Sequence, residues 1–118
     1  MGIAYYANYL RWFEMGRTEL FRAMGLTYRE IEAEGIFLPV SEVFCKFLTP
    51  VKYDDILVIE TSLDTGVRAG MKFDYRLLSE DETDLIADGY TQHVFMDQRG
   101  RVVRPPAFLR RVIVEHTG

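Results

Sequence analysis

Over residues 8–24 the apolar positions recur at helical spacing. Tyr9, Leu10, Phe13, Gly16, Leu20, Phe21 and Met24 fall on one broad face, with Arg11, Glu14, Thr18 and Arg22 opposite. The pattern predicts one long helix, with Asn8 able to cap its start and Gly25 suited to the left-handed residue past its end. Gly16 on the apolar face costs roughly 1 kcal/mol against Ala in a helix interior, which points to a close approach there by another backbone. From Ile36 onward the period becomes two. Val43, Cys45 and Phe47 alternate with polar residues, then Leu57, Ile59 and Leu63, then Met71, Phe73, Tyr75 and Leu77, predicting three successive strands with one buried face each. Residues 84–97 predict a fourth strand, and Gln98, Arg99 and Gly100 turn it into a short fifth around Val102 and Val103. Pro105 and Pro106 stop that strand, and residues 107–114 suit a terminal helical turn or two. A helix followed by antiparallel strands implies an α+β domain in which the sheet wraps around one long central helix, with Trp12, Phe13 and Phe21 serving as packing.

The 118 residues suffice for one domain with one core. A net charge of −4 and the lack of any run of Lys and Arg argue against binding the phosphate backbone of nucleic acid. Cys45 is the only cysteine, so no intramolecular disulfide forms, and a buried, inert thiol in a reducing cytoplasm is the expectation. No apolar run approaches the length of a membrane span, and no charged leader precedes an apolar core.

The stretch Gly2-Ile3-Ala4-Tyr5-Tyr6-Ala7-Asn8-Tyr9-Leu10 raises a further possibility, together with Phe13-Glu14-Met15-Gly16-Arg17-Thr18-Glu19, Tyr53-Asp54-Asp55, Gly89-Tyr90-Thr91-Gln92-His93-Val94-Phe95 and the closing Arg104-Pro105-Pro106. In order, and over nearly the whole chain, these resemble the hotdog-fold acyl-CoA thioesterases of the 4-hydroxybenzoyl-CoA thioesterase type, which include the short-chain enzymes found with the bacterial Tol-Pal system. The resemblance implies a single hotdog domain over residues 1–118 and a cytoplasmic hydrolase of short-chain or aromatic acyl-CoA, with no metal or other cofactor. It also implies a homodimer, or a homotetramer of two such dimers, because a lone sheet leaves an unpaired edge. Gly2 matches the motif glycine, and Tyr6 stands where members carry Tyr or His. The family's catalytic aspartate lies three residues before that glycine, which here falls ahead of residue 1, as does the family's first strand. A chain opening on Gly-Ile-Ala-Tyr-Tyr has no polar lead-in, so an upstream segment is expected to cover it.

Thioester hydrolysis needs a group that attacks or activates water, and donors aimed at the oxygen where negative charge develops. Free N–H groups around Tyr6, Ala7 and Asn8 at a helix start supply such donors. With Gly2 they form the implied substrate-binding set, and Tyr6 is the implied catalytic residue. Its hydroxyl orients the acyl group or a water, or else its ring is a hydrophobic staple. Glu14 and Glu19 project to the polar face and read as solvated. Arg17 falls between Leu10 and Phe21 on the apolar side, where a charge needs a partner. Glu14, one turn back, is the nearest candidate for a structural ion pair, and an acid from a strand or a second subunit is the alternative. His93 and His116 read as structural or exposed, with no metal-site spacing. Among the scattered cations Arg68, Lys72, Arg101 and Arg104, one or two are expected to meet CoA phosphates. Two other readings compete with the enzyme: a non-catalytic acyl-CoA-binding or oligomeric hotdog protein lacking the aspartate, and a hotdog dehydratase or hydratase, which would need a His where Tyr6 stands.

Overall fold

The computed structural model describes residues 6–52, 54–64 and 69–117, with the side chains of Tyr6, His116 and Thr117 outside that description. Helix α1 spans Tyr6–Ala23 and a short α2 spans Tyr28–Ala33. Strands β1 (Val40–Phe47), β2 (Leu57–Asp64), β3 (Met71–Ser79) and β4 (Leu85–His93) form one antiparallel sheet in the order β1-β4-β3-β2. A two-stranded ribbon pairs β5 (Phe95–Met96) with β6 (Val102–Val103), and α3 (Ala107–Thr117) follows.

Helix α1 lies across β2 and β3, and its apolar stripe supplies much of the core. Phe13 and Phe21 are fully buried and Tyr9 nearly so. Phe13 stacks on Tyr75 with ring centroids 4.3 Å apart, and Phe21 meets Phe73 edge-on at 5.4 Å. The buried positions of β3, namely Met71, Phe73, Tyr75 and Leu77, are the alternating set read from the sequence. Trp12 packs against this core as a partly buried ring. Gly25, at φ 81°, takes the left-handed conformation that closes α1.

Several expectations need correction. Helix α1 begins at Tyr6, so Asn8 lies inside the first turn and does not cap it. Leu10, placed on the packed face, is 46% exposed, because the sheet covers the line through Tyr9, Phe13, Gly16 and Phe21 and Leu10 lies to one side of it. The periodicity of residues 43–47 does not produce a buried face: β1 is an edge strand, and of its residues only Cys45 is even half-buried. The single long strand over residues 84–97 is two elements, since β4 ends at His93 and Val94 turns its N–H to the Pro39 carbonyl at 3.2 Å. The terminal helix is also longer than a turn or two. Helix α2 escaped the reading of hydrophobic period because it is short, yet Thr27, three residues ahead of Glu30, is a helix-start signature. The Thr27 hydroxyl accepts the Glu30 N–H at 3.1 Å.

Gly16 marks the closest contact of helix and sheet. A Cβ placed there would lie 2.2 Å from Thr61 Oγ1 and 2.9 Å from Ile59 Cγ2, both on β2. The close approach expected there is thus made by side chains of the sheet and not by its backbone. Among the described residues Thr61 Oγ1 is buried with no hydrogen-bond partner, a cost accepted where the helix comes this near. Gly16→Ala should therefore destabilise despite the better helix propensity of Ala. A net loss of about 1–2 kcal/mol, read as a lower Tm in a thermal melt, is expected from the overpacking. An unchanged or raised Tm would show that α1 sits farther from β2.

Candidate active site

Tyr6, Ala7 and Asn8 come together in the first turn of α1, whose N–H groups have no partners within the helix. No acidic residue occupies this turn, so the helix does not itself neutralise its positive end. Ala7 is exposed and Asn8 half-buried. Tyr9, next along, is buried edge-on against Phe47 of β1 at 4.7 Å and against Trp12 at 5.1 Å. These contacts set the helix start beside the C-terminal end of β1. Of the site residues read from the sequence, Gly2 and the side chain of Tyr6 lie outside the described residues.

Neither acid of α1 turns inward. Glu14 is exposed, and Glu19 is an exposed partner of Arg22 at 2.9 Å, matching the solvated role expected of both. A cavity of about 320 Å³ runs along α1 between Met15, Gly16, Glu19 and Leu20 and the β2 residues Ile59 and Thr61. A larger one of about 700 Å³, at the end of the sheet where β1 and β3 finish, is lined in part by Asp55, Glu80, Asp81 and Asp84. Four carboxylates repel an anionic ligand such as CoA, so this second hollow does not suit it. Lys72 is engaged by Asp64 at 3.5 Å and Asp74 at 3.8 Å and lies over the Tyr90 ring, while Arg101 and Arg104 are exposed and Arg68 lies outside the described residues.

Arg17 has an unexpected set of partners. Among the described residues no carboxylate pairs with it, neither Glu14 nor an acid of a strand. Its Nε donates to the Tyr28 hydroxyl of α2, and Nη1 donates to the Tyr75 hydroxyl of β3 at 3.1 Å and, more weakly, to Thr91 Oγ1 of β4 at 3.4 Å. The hydroxyls continue into a chain. Tyr75 OH and Thr91 Oγ1 are 2.6 Å apart, Thr91 Oγ1 and His93 Nε2 are 2.9 Å apart, and His93 Nδ1 is 2.9 Å from the Leu38 carbonyl.

The proton positions along this chain follow from chemistry. A carbonyl oxygen only accepts, so His93 Nδ1 carries the hydrogen. Neutral His93 then accepts at Nε2 from the Thr91 hydroxyl, Thr91 accepts from Tyr75, and Tyr75 accepts from Arg17. Every donor points the same way, from Arg17 toward Leu38. Burial lowers the His93 pKa below its ordinary value; the Leu38 carbonyl opposes that shift and the Arg17 charge reinforces it. Burial also opposes the Arg17 charge, but the phenol oxygens of Tyr75 and Tyr28 outweigh it, leaving Arg17 firmly protonated. The Tyr28 phenol, desolvated despite Arg17 beside it, is pushed up to about 12. His93 is thus structural, as the sequence suggested. Tyr28, Tyr75 and Thr91 went unread, although Tyr75 on a buried strand face carries a hydroxyl that must find a partner. Burial and the nearby Asp88 push the Cys45 thiol up to about 11, which keeps it protonated and inert.

The stability order expected from a Glu14–Arg17 pair is therefore reversed. Glu14→Ala should change Tm little, as an exposed site typically does, within about 0.5 kcal/mol. Arg17→Met and Tyr75→Phe should each cost more, about 1–3 kcal/mol, by leaving buried hydrogen-bonding groups unpaired. Thermal melts of the three variants check this, and a costly Glu14→Ala beside a silent Arg17→Met would contradict the hydroxyl network.

Residues 1–113 match the model of a family described as the Thioesterase-like superfamily. Over 64 residues the chain is 38% identical to the putative acyl-CoA thioesterase YneP of Bacillus subtilis; the match takes in 54% of this chain and 46%, less than half, of that relative's length. A hypothetical protein of Thermus thermophilus has the same fold at a TM-score of 0.88, with 28% identity over 98% of this chain and 87% of the other. The DHNA-CoA thioesterase of Staphylococcus aureus reaches 0.89 at 21% identity, over 99% and 80% of the two chains, a likeness of fold. The antiparallel sheet laid around α1 is the hotdog arrangement, and the chain belongs to the Thioesterase-like superfamily.

Proposed function

We propose that this protein is an acyl-CoA thioesterase that hydrolyses short-chain or aromatic acyl thioesters with water, in the cytoplasm, without a metal. The observation that carries this reading is the start of α1: three successive residues, Tyr6, Ala7 and Asn8, in a first turn that bears no acid of its own. The thioester carbonyl takes the place of the missing helical acceptors, and the partial positive charge of the turn stabilises the oxyanion as it forms. Tyr6 orients the acyl group or the attacking water, and Gly2 completes the binding loop. Arg101 and Arg104, exposed and in no ion pair with a carboxylate among the described residues, are the cations best suited to CoA phosphates. The likeness of fold to a DHNA-CoA thioesterase makes aromatic thioesters sensible first substrates alongside short aliphatic ones.

The attacking or base group in this reading is the aspartate that the family carries three residues before the position of Gly2. Residues 1–118 should then release thiol from acyl-CoA slowly. A form extended upstream to include that aspartate should be faster by at least the general-base share of roughly 10²–10⁴, and its Asp→Asn variant should fall back. Equal rates with and without the extension would move the chemistry to Glu14 or Glu19. A second reading, an acyl-CoA-binding hotdog protein without turnover, draws on the exposure of both those acids. It is favoured if the extended form binds acyl-CoA but releases no thiol.

The same reading includes a homodimer, or a homotetramer built from two such dimers. Among the described residues strand β1 has one paired edge and one open edge, and Val40, Val43, Phe44 and Phe47 along it are between 44% and 50% exposed. An open strand edge carrying this much apolar surface calls for pairing with a second copy. Light scattering at micromolar concentration should give at least twice the chain mass, and Val43→Lys should shift it toward the monomer. A monomeric parent protein would overturn the assembly.

A further inference from the structure

Where α1 crosses β3, the apolar contact resists separation more than sliding. Phe13 and Tyr75 stack with their ring planes 6° from parallel, a flat contact that changes little for small axial displacements of the helix. Hydrogen bonds from a planar guanidinium are directional and do resist such displacement. Arg17 is 11 residues down α1 from Tyr6, about 16 Å along the axis, and a straight helix carries an axial shift undiminished over that distance.

We propose that Arg17 is a positioning residue, which by gripping hydroxyls on α2, β3 and β4 sets where α1 lies along its own axis and so where the amides of its first turn stand. The inference rests on the thioesterase reading for its purpose, though not for its geometry. His93 is part of the device, because its Nδ1–H bond to Leu38 leaves Nε2 free to accept and so orders Thr91 and Tyr75 to face Arg17 as acceptors. A proton on Nε2 turns that acceptor into a donor. Thr91 and Tyr75 then face donors at both ends of their pair, from His93 and from Arg17, and one of the two hydroxyl hydrogens loses its acceptor. The groups facing His93 are the Leu38 carbonyl ahead of β1, Thr91 on its own strand, the Phe73 ring of β3 at 5.4 Å, and Arg17 from α1, the one formal charge among them; Tyr75 and Tyr28 stand behind as neutral phenols.

The sign follows from linkage. With its folded pKa below the ordinary value of 6.5, His93 contributes no pH-dependent loss above that value. As pH falls the unfolded chain takes the proton first, so stability declines until folded His93 titrates too. Once folded His93 is protonated, the grip on Arg17 loosens and the first turn of α1 shifts.

Amide NMR reads this without any turnover, in a His116→Gln background so that His93 is the one imidazole. Between pH 8 and 4.5 the Ala7 and Asn8 amides should move with the midpoint of the His93 ring, and Tyr75→Phe or Arg17→Lys should abolish the coupling while His93 still titrates. First-turn amides indifferent to His93, or a coupling that survives both substitutions, would overturn the proposal while leaving the thioesterase reading intact. In the aspartate-containing form, Tyr75→Phe should lower kcat about 10- to 100-fold with KM within threefold, the signature of misplaced donors. A proportional rise in KM with unchanged kcat would likewise count against positioning. Coupled amides in a protein that hydrolyses no thioester would retain the device and reject the enzyme.

Discussion

The structure depends on how near α1 can come to β2. At Gly16 no side chain stands between helix and sheet, and Thr61 and Ile59 fill that space from the other side. The proximity brings Phe13 onto Tyr75 and Phe21 onto Phe73, and it carries Arg17 to the hydroxyls of β3 and β4. A helix held farther out would leave the aromatic rings half-wet and Arg17 in solvent. Its cost is visible in the Thr61 hydroxyl, buried without a partner among the described residues, beside a glycine whose Cα–H offers at best a weak contact.

The polar network under α1 solves a problem the apolar packing creates. A cation on the packed side of a helix must be neutralised or solvated, and a carboxylate partner is the common answer. Here three hydroxyls on three elements take that place. Phenols and a threonine accept from the charged Arg17, and the directionality of these hydrogen bonds adds to the register that Gly16 sets against Thr61 and Ile59. The neutral His93 closes the chain on a backbone carbonyl, so the polarity of the whole run is settled by one tautomer.

The start of α1 and the open edge of β1 lie at the same end of the molecule, joined through Tyr9 and Phe47. In the proposed enzyme, a second copy on β1 would therefore also wall the thioester site. In that assembly the second copy would also cover the apolar alternating pattern of β1, which is nearly all exposed in one chain.

The sequence by itself was sufficient for α1, β2, β3 and the short hairpin, because each carries a hydrophobic period long enough, or a turn signal sharp enough, to specify a local conformation. It also carried the family, through the ordered motifs from Gly2 to Pro106, the inert character of Cys45 and the structural place of His93. Hydrophobic period alone was insufficient for β1, because periodicity shows which face is apolar and not whether anything covers it. It could not decide the partner of Arg17 either. Sequence distance makes Glu14 the natural choice, one turn away on the same helix, whereas Tyr28, Tyr75 and Thr91 are 11, 58 and 74 residues distant and reach Arg17 through the crossing of helix and sheet. Local periodicity determines elements; which polar atoms meet inside them depends on strand order and register, and those are properties of the folded chain alone.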